Sequence, residues 1–250
     1  MNLAISPTAT SRPARETTSK LQTLISTLQL SRYFTSAQVK ETLLQINISS
    51  EELMPWADFD HPVVDSYGRK LVYNGGHFEI MVMSWVPGDF SAIHDHGFTQ
   101  WGAVQCFGAA EHYIYQFAKG TLRTVEAAHY TPGMIRSVDH NLIHQMGNAG
   151  SEPFLSLHVY GCGHPRTAIT GNARIFDLLE GSVQYTDGGV FFCLPEAQII
   201  RRTYGVTGNR KTTLRHHHQM GDRLRRILED QNDPALADKL SLLTHHQSKL

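Results

Sequence analysis

The chain has 250 residues, is 41% hydrophobic and carries a formal net charge of -1 with no long run of one sign. That length buries one sizeable core, so one large domain is expected, and the charge pattern excludes an electrostatic footprint for nucleic acid or a membrane surface. No apolar stretch approaches a membrane span. Three scattered cysteines, Cys106, Cys162 and Cys193, exclude a disulfide framework or a Cys-rich zinc site and point to a reducing cytoplasm.

Residues 1–20 are rich in Ser, Thr and Ala and hold Arg12 and Arg15 with no acid before Glu16; they read as a disordered tail rather than a transit peptide. In residues 17–30, Leu21, Leu24, Ile25, Leu28 and Leu30 fall near helical spacing. "TSAQVKETLLQI" predicts a second helix capped by Thr35 or Ser36, and "SSEELMPW" a short third one ended by Pro55. From about residue 66 the pattern changes. "KLVYNGGHFEIMVMSW" predicts a hairpin turning at Asn74-Gly75-Gly76, residues that tolerate positive φ. "WGAVQCFG", "EHYIYQF", "TLRTVEA", "GMIRSV", "LIHQMGN" and "FLSLHVYG" follow at close spacing, and many short strands with Gly and Pro turns indicate a sandwich or barrel. "VQYTDGGVFFCL" predicts another hairpin. "AQIIRRTYG" reads as helix stopping at Gly205, and two amphipathic helices, "LRHHHQMGDRLRRILEDQ" and "PALADKLSLLTHH", close the chain. The expected layout is mainly β: a barrel domain over residues 21–195 that includes the N-terminal helices, then a helical extension over 196–250 that packs on the barrel or on a partner. The oligomeric state stays open.

The chemistry centres on "AIHDHGFTQWG". On a strand, residues i and i+2 share a face about 6.6 Å apart, so His94 and His96 converge while Asp95 points away in a structural role. Two imidazoles so placed can meet one metal at about 2.1 Å. Gly88 precedes His94, Gly108 follows His96, and "PGMIRSVDHNLIHQMGN" places Pro132-Gly133 before His144 and Asn148 after it. This resembles the two-part motif of the cupins, small jelly-roll barrels with a metal inside. The resemblance makes His144 the third ligand. The carboxylate usual between the two halves is replaced by the neighbourhood of Gln100 and Trp101.

"YGRKLVYNGGHFEIMVMSWVPGDFSAIHDH" narrows the resemblance to the cysteine dioxygenase family, the thiol dioxygenase branch of the cupins, over roughly residues 52–164. The family's Tyr-x-Arg before the first strand pair is Tyr67 and Arg69 here, and its Ser-x-His-x-Tyr is Ser156, His158 and Tyr160, whose period-two spacing puts all three on one face. The resemblance implies Fe(II) on three histidines, Arg69 with Tyr67 on the substrate, and a Ser156–His158–Tyr160 relay. Many animal members carry a cysteine crosslinked to the tyrosine; an ungapped count from "HDH" puts Trp101 at that position, beside Gly102, so Tyr160 is expected to be uncrosslinked.

Three neutral imidazoles leave Fe(II) its full formal charge, which favours an anionic thiolate, and three facial ligands leave positions for substrate and O2. The expected partners are therefore a small-molecule thiol and O2, with cysteine oxidised to its sulfinic acid. Two alternatives stand beside this: another thiol such as 3-mercaptopropionate, or a metal-binding cupin without turnover. The three histidines alone also suit zinc, nickel or copper. Of the remaining histidines, consecutive His216, His217 and His218 are expected to fan into solvent, and His112, His140, His245 and His246 have no matched partner in the sequence.

Overall fold

The computed structural model describes residues 18–248; the expected N-terminal tail lies almost wholly outside them. Helix α1 (Ser19–Gln29) starts where the Thr18 side chain accepts from the Leu21 backbone N–H, and buries Leu21, Leu24, Ile25 and Leu28. Helix α2 (Ser36–Ile46) carries a reciprocal cap between Thr35 and Gln38 and ends at Asn47 in the left-handed region. Such a box satisfies two of the amide donors that a helix start leaves open. Helix α3 (Ser50–Leu53) does not stop at Pro55, as expected, but at Leu53; Pro55 sits inside a following 3-10 turn, Met54–Trp56.

Twelve strands follow: β1 (Gly68–Asn74), β2 (Phe78–Trp85), β3 (Trp101–Cys106), β4 (Ala110–Ala118), β5 (Thr121–Tyr130), β6 (Ile135–Asp139), β7 (Ile143–Gly147), β8 (Phe154–Gly161), β9 (Ala173–Asp177), β10 (Ser182–Thr186), β11 (Arg201–Tyr204) and β12 (Thr207–Gly208). They form sheets ordered β1-β2-β8-β3-β6, β12-β5-β4-β7 and β11-β10-β9. The first two curl around a shared interior, the mainly β barrel architecture with helices at both ends that the sequence predicts. The β1–β2 hairpin turns as expected, with Gly76 at φ +79° and its N–H donating to the Asn74 side chain at 2.8 Å.

Every residue of β2 and β8 is buried. Their alternation sorts two cores. Phe78, Ile80, Val82, Leu155, Leu157 and Val159 face outward and pack with the apolar sides of α1 and α2. Met81, Met83, Trp85 and Tyr160 face the barrel interior. The register pairs Met81 with His158 and Met83 with Ser156, so the chemistry-bearing side of β8 looks inward.

Three expectations fail in the last third of the chain. "AQIIRRTYG" is a 3-10 turn, Glu196–Gln198, and then strand β11, which pairs antiparallel with β10. Its adjacent Ile199 and Ile200 do not make a helical stripe, and Arg202 is held beside Glu180 and Glu196. The hairpin at 183–194 has only its first arm; β10 pairs instead with β9, a strand that the sequence pattern does not announce. The two terminal helices do form, α4 (Arg210–Asp230) and α5 (Pro234–Gln247). However, His216 and His217 are buried and only His218 is exposed, on an ion pair with Asp222. Helix α4 lies between the barrel and α5, so two of its faces are covered: Met220 and Leu224 join the inner core together with Leu243 of α5. Among the described residues no helix is long and apolar enough to cross a membrane.

Neighbours on α2 test this arrangement. Leu43 is fully buried and Leu44 is 50% exposed. Leu43→Ala should cost about 2–5 kcal/mol in urea unfolding, and Leu44→Ala no more than about 0.5 kcal/mol. Equal losses would mean that α2 does not dock as described.

Candidate metal centre

The segment between β2 and β3 carries His94 and His96 but is not a regular strand. His94 makes a two-way backbone bridge, its N–H and C=O both bonded to His144 of β7 at 2.9 Å, and the segment also bridges Gly147 of β7 at Phe90 and Ile175 of β9 at His94. The Asp95 N–H donates to Arg174 C=O, anchoring the segment to β9. The expected convergence of the two histidines still holds, with ring centroids 5.1 Å apart. Asp95 holds the segment in shape: its carboxylate pairs with the Arg174 side chain and accepts from the backbone N–H groups of Gly97 and Arg174.

His94, His96 and His144 each offer one ring nitrogen within 4.8 Å of the others, and all three are buried. Burial, first of all, pushes His94 down to about 4. Burial and then the neighbouring imidazoles hold His96 and His144 well below the ordinary histidine range. Neutral rings keep the lone pairs that a cation needs. His94 Nδ1 is committed to the Ala92 carbonyl at 2.8 Å, which turns Nε2 toward the centre. Nε2 of His144 lies 3.1 Å from Nε2 of His96. Two ligands about 2.1 Å from one metal and at right angles would be about 3.0 Å apart, so the donor set fits a transition metal.

The outer support of His144 is a residue for which the sequence offers no matched partner. His112 on β4 places its Nε2 2.7 Å from His144 Nδ1 and stacks on Tyr130 at 4.7 Å between centroids. Burial, and then Arg136, push His112 down to about 4, so its ring is neutral. The signal that could have found it is its interior position on β4, but the pairing of β4 with β7 is long-range and no local pattern announces it.

The relay residues of β8 are joined as their spacing predicts. Ser156 Oγ lies 2.7 Å from His158 Nε2, and His158 Nδ1 lies 2.7 Å from the Tyr160 hydroxyl. A fourth member heads the chain: Trp85 Nε1–H donates to Ser156 Oγ at 2.9 Å. Indole only donates, so it takes one lone pair of the hydroxyl. The Ser156 proton then has His158 Nε2 as its one partner, since leaving it unused while buried would cost about 1–3 kcal/mol. Burial, followed by the neighbouring His94 and Arg69, pushes His158 down to about 3, so it is neutral and carries its proton on Nδ1. That proton goes to the Tyr160 oxygen. The Tyr160 hydroxyl proton is thereby left to point into the cavity, and burial raises this phenol well above its ordinary value.

One cavity is lined by Tyr67, Arg69, His94, His96, His144, His158 and Tyr160, with Met81, Met83 and Thr170 among the rest of its wall. Ser156 lies behind His158. The Tyr67 ring stacks on Trp85 at 4.7 Å, and its hydroxyl accepts from the Val190 N–H at 3.3 Å. Arg69 makes one long hydrogen bond, 3.4 Å to the Thr170 hydroxyl.

The residue that faces Tyr160 is Gly102, not Trp101. Gly102 and Tyr160 are register partners across β3 and β8, and a Cβ at Gly102 would lie 3.2 Å from the Tyr160 ring and 2.3 Å from the Val159 carbonyl. Trp101 points to the outer core, where its indole N–H donates to Arg32 C=O at 3.3 Å. No thiol stands beside the phenol in either position. Cys106 lies further along β3 opposite Ser156, donating to Gly108 C=O.

A family model described as cysteine dioxygenase type I matches residues 9–169. Similar solved structures include a Thermus thermophilus protein, at 18% identity over 44% of this chain and 93% of the other, with TM-score 0.36. A protein with a double-stranded β-helix domain from Klebsiella pneumoniae matches at 21% identity over 48% of this chain and 86% of its own, with TM-score 0.37. A recombinant oxalate oxidase in complex with glycolate matches at 14% identity over 48% and 61%, with TM-score 0.36.

Metal analysis checks the ligand set directly. His94→Ala and His144→Ala should each lose bound divalent metal while circular dichroism shows the fold retained. Full metal content in both variants would remove these residues as ligands.

Proposed function

The chain belongs to the cysteine dioxygenase type I family, and from that premise we propose that it is an iron(II)-dependent thiol dioxygenase. Its substrate on this reading is L-cysteine, which with O2 becomes cysteine sulfinic acid, both oxygen atoms joining the sulfur. The observation that carries the reading is one cavity wall holding three neutral histidines, a guanidinium and a directed phenol hydroxyl.

Iron(II), when bound by His94, His96 and His144, supplies the redox chemistry that brings oxygen and a soft sulfur donor together. The chain's own residues do the rest. Arg69 offers a planar fork of donors, which matches a carboxylate with two parallel hydrogen bonds. Its long bond to Thr170 is weak enough to give way to such a partner. Tyr67, stacked on Trp85 and tied to Val190, forms a rigid wall beside it. Tyr160 presents a proton to the cavity because Trp85, Ser156 and His158 orient every hydrogen behind it. Met81 and Met83 line the same wall with apolar surface and help exclude water.

The choice of cysteine over 3-mercaptopropionate rests on Tyr67 and Arg69 as the family's substrate pair. Three free cysteines, two of them buried, support a reducing cytoplasm as the site of action.

Anaerobic iron loading followed by oxygen uptake with a panel of thiols tests the reading, and Arg69→Ala tests its specificity. The variant should raise KM for cysteine roughly ten- to a hundredfold, from the loss of about 1.5–3 kcal/mol of charge-assisted hydrogen bonding, with a smaller effect on cysteamine, which has no carboxylate. Equal effects on both thiols would remove Arg69 as the carboxylate reader. No uptake with any thiol would favour a binding role for the site.

Tyr160→Phe keeps the ring and its packing and removes the hydroxyl. Turnover should fall, and less of the oxygen consumed should appear as sulfinate, while iron content and unfolding midpoint stay near those of the parent chain. The intact mass of the parent should show no two-proton loss from a thioether. Unchanged turnover and coupling would leave the relay without a catalytic role.

A further inference from the structure

We propose that His112 is the positioning residue of the metal site, fixing the tautomer and ring orientation of His144 from the side away from the cavity. The inference rests on the metal reading of His94, His96 and His144 given above. It starts from an asymmetry among the three rings. His94 Nδ1 is bonded to a backbone carbonyl, Ala92, at 2.8 Å. His96 Nδ1 is buried without a partner. Only His144 is supported by a side chain, and that side chain is another imidazole, 2.7 Å away.

The proton count makes the contact directional. For His144 to turn a lone pair toward a metal through Nε2, its proton must sit on Nδ1. His112 Nε2 must then accept it, which places the His112 proton on Nδ1. A hydrogen-bonded partner on the far nitrogen of a metal-binding histidine holds the ring in plane and raises its basicity. His112 is itself held: it is 4% exposed and stacks on Tyr130 with the planes 25° apart. The ring centroids lie 5.0 Å apart with the two nitrogens 2.7 Å apart between them, so the contact runs from nitrogen to nitrogen along the ring edges, in the lone-pair direction, and not onto a ring face.

An ordinary core histidine would also be buried in this wall. What distinguishes the positioning role is the nitrogen, not the ring. His112→Phe keeps an aromatic ring for Tyr130 and removes the acceptor. His112→Gln removes the ring and returns an acceptor oxygen at similar reach. Dissociation constants for Fe(II) and Co(II), measured anaerobically by competition with a chromophoric chelator, separate the two roles. His112→Phe should bind both metals roughly ten- to a hundredfold more weakly, with the visible spectrum of the Co(II) form altered and the unfolding midpoint of the metal-free protein near that of the parent. His112→Gln should recover most of the affinity and the parental spectrum. Parental affinity in His112→Phe, or a His112→Gln no tighter than His112→Phe, would overturn the role. A parent chain that binds neither metal would instead overturn the metal reading itself and this inference with it.

Discussion

The arrangement depends on one constraint: β8 is buried on both faces, and its two-residue alternation assigns incompatible chemistries to them. Leu155, Leu157 and Val159 lie under the N-terminal helices. Ser156, His158 and Tyr160 lie on the opposite side, joined to one another at 2.7 Å. A buried polar atom without a partner costs about 1–3 kcal/mol, so three polar side chains in a row are tolerable only because each bonds the next. The same closure that makes the row stable also sets its direction, since the indole of Trp85 can only donate. The helices therefore matter to the site although none of them reaches it: they bury the apolar outer face of β8, and that burial fixes which side of the strand turns inward.

The histidine cluster meets a second constraint. Three imidazoles within a few ångströms cannot all be charged, and burial already disfavours charge on each. Neutrality leaves their lone pairs unshared and converging, an arrangement that a cation relieves. Among the described residues, Arg69 is the one cation on the cavity wall, on the side of Tyr67 and Thr170. On the proposed reading the cavity thus has two separated positive positions once metal is bound, which suits a small molecule carrying a thiolate at one end and a carboxylate at the other.

What is legible in the sequence is what local spacing controls. The parity of Ser156, His158 and Tyr160, the hairpin at Asn74-Gly75-Gly76 and the cap at Thr35 follow from neighbours a few residues apart. The features that escape it are set by partners far away in the chain. His112 needs β4 to pair with β7, and β9 needs β10. Gly102 rather than Trp101 faces Tyr160 because β3 pairs with β8 in the register that sets those two opposite each other. His216 and His217 look solvated on a helix considered alone; His216 is buried against the barrel, where it meets the Leu178 N–H and the Phe192 ring, and His217 lies against His246 of α5. Strand β11 is a similar case: its partner β10, not its own composition, decides its conformation.

That long-range dependence extends to the C-terminal helices, which lie beyond the residues that the family model matches. Arg223 of α4 is 3% exposed; it donates to the Asp65 carbonyl and lies 3.7 Å from Asp89. Asp89 in turn accepts from the Val86 N–H at 2.8 Å and pairs with His61 at 3.1 Å, and its backbone carbonyl accepts from the Asn148 N–H at 2.7 Å. Val86 and Asp89 begin the segment that ends in His94 and His96, while Asn148 follows the strand that carries His144. One buried residue, Asp89, therefore links both halves of the candidate metal centre to α4, through its carboxylate on one side and its backbone carbonyl on the other. Burying such charges contributes little net stability, because desolvation offsets most of their attraction, but removing one partner leaves the other stranded. The cluster therefore acts chiefly on geometry: the Val86 N–H and His61 hold one oxygen of the Asp89 carboxylate, and Arg223 and Arg226, each 3.7 Å from the other oxygen, balance its charge beside the loop that leads to His94.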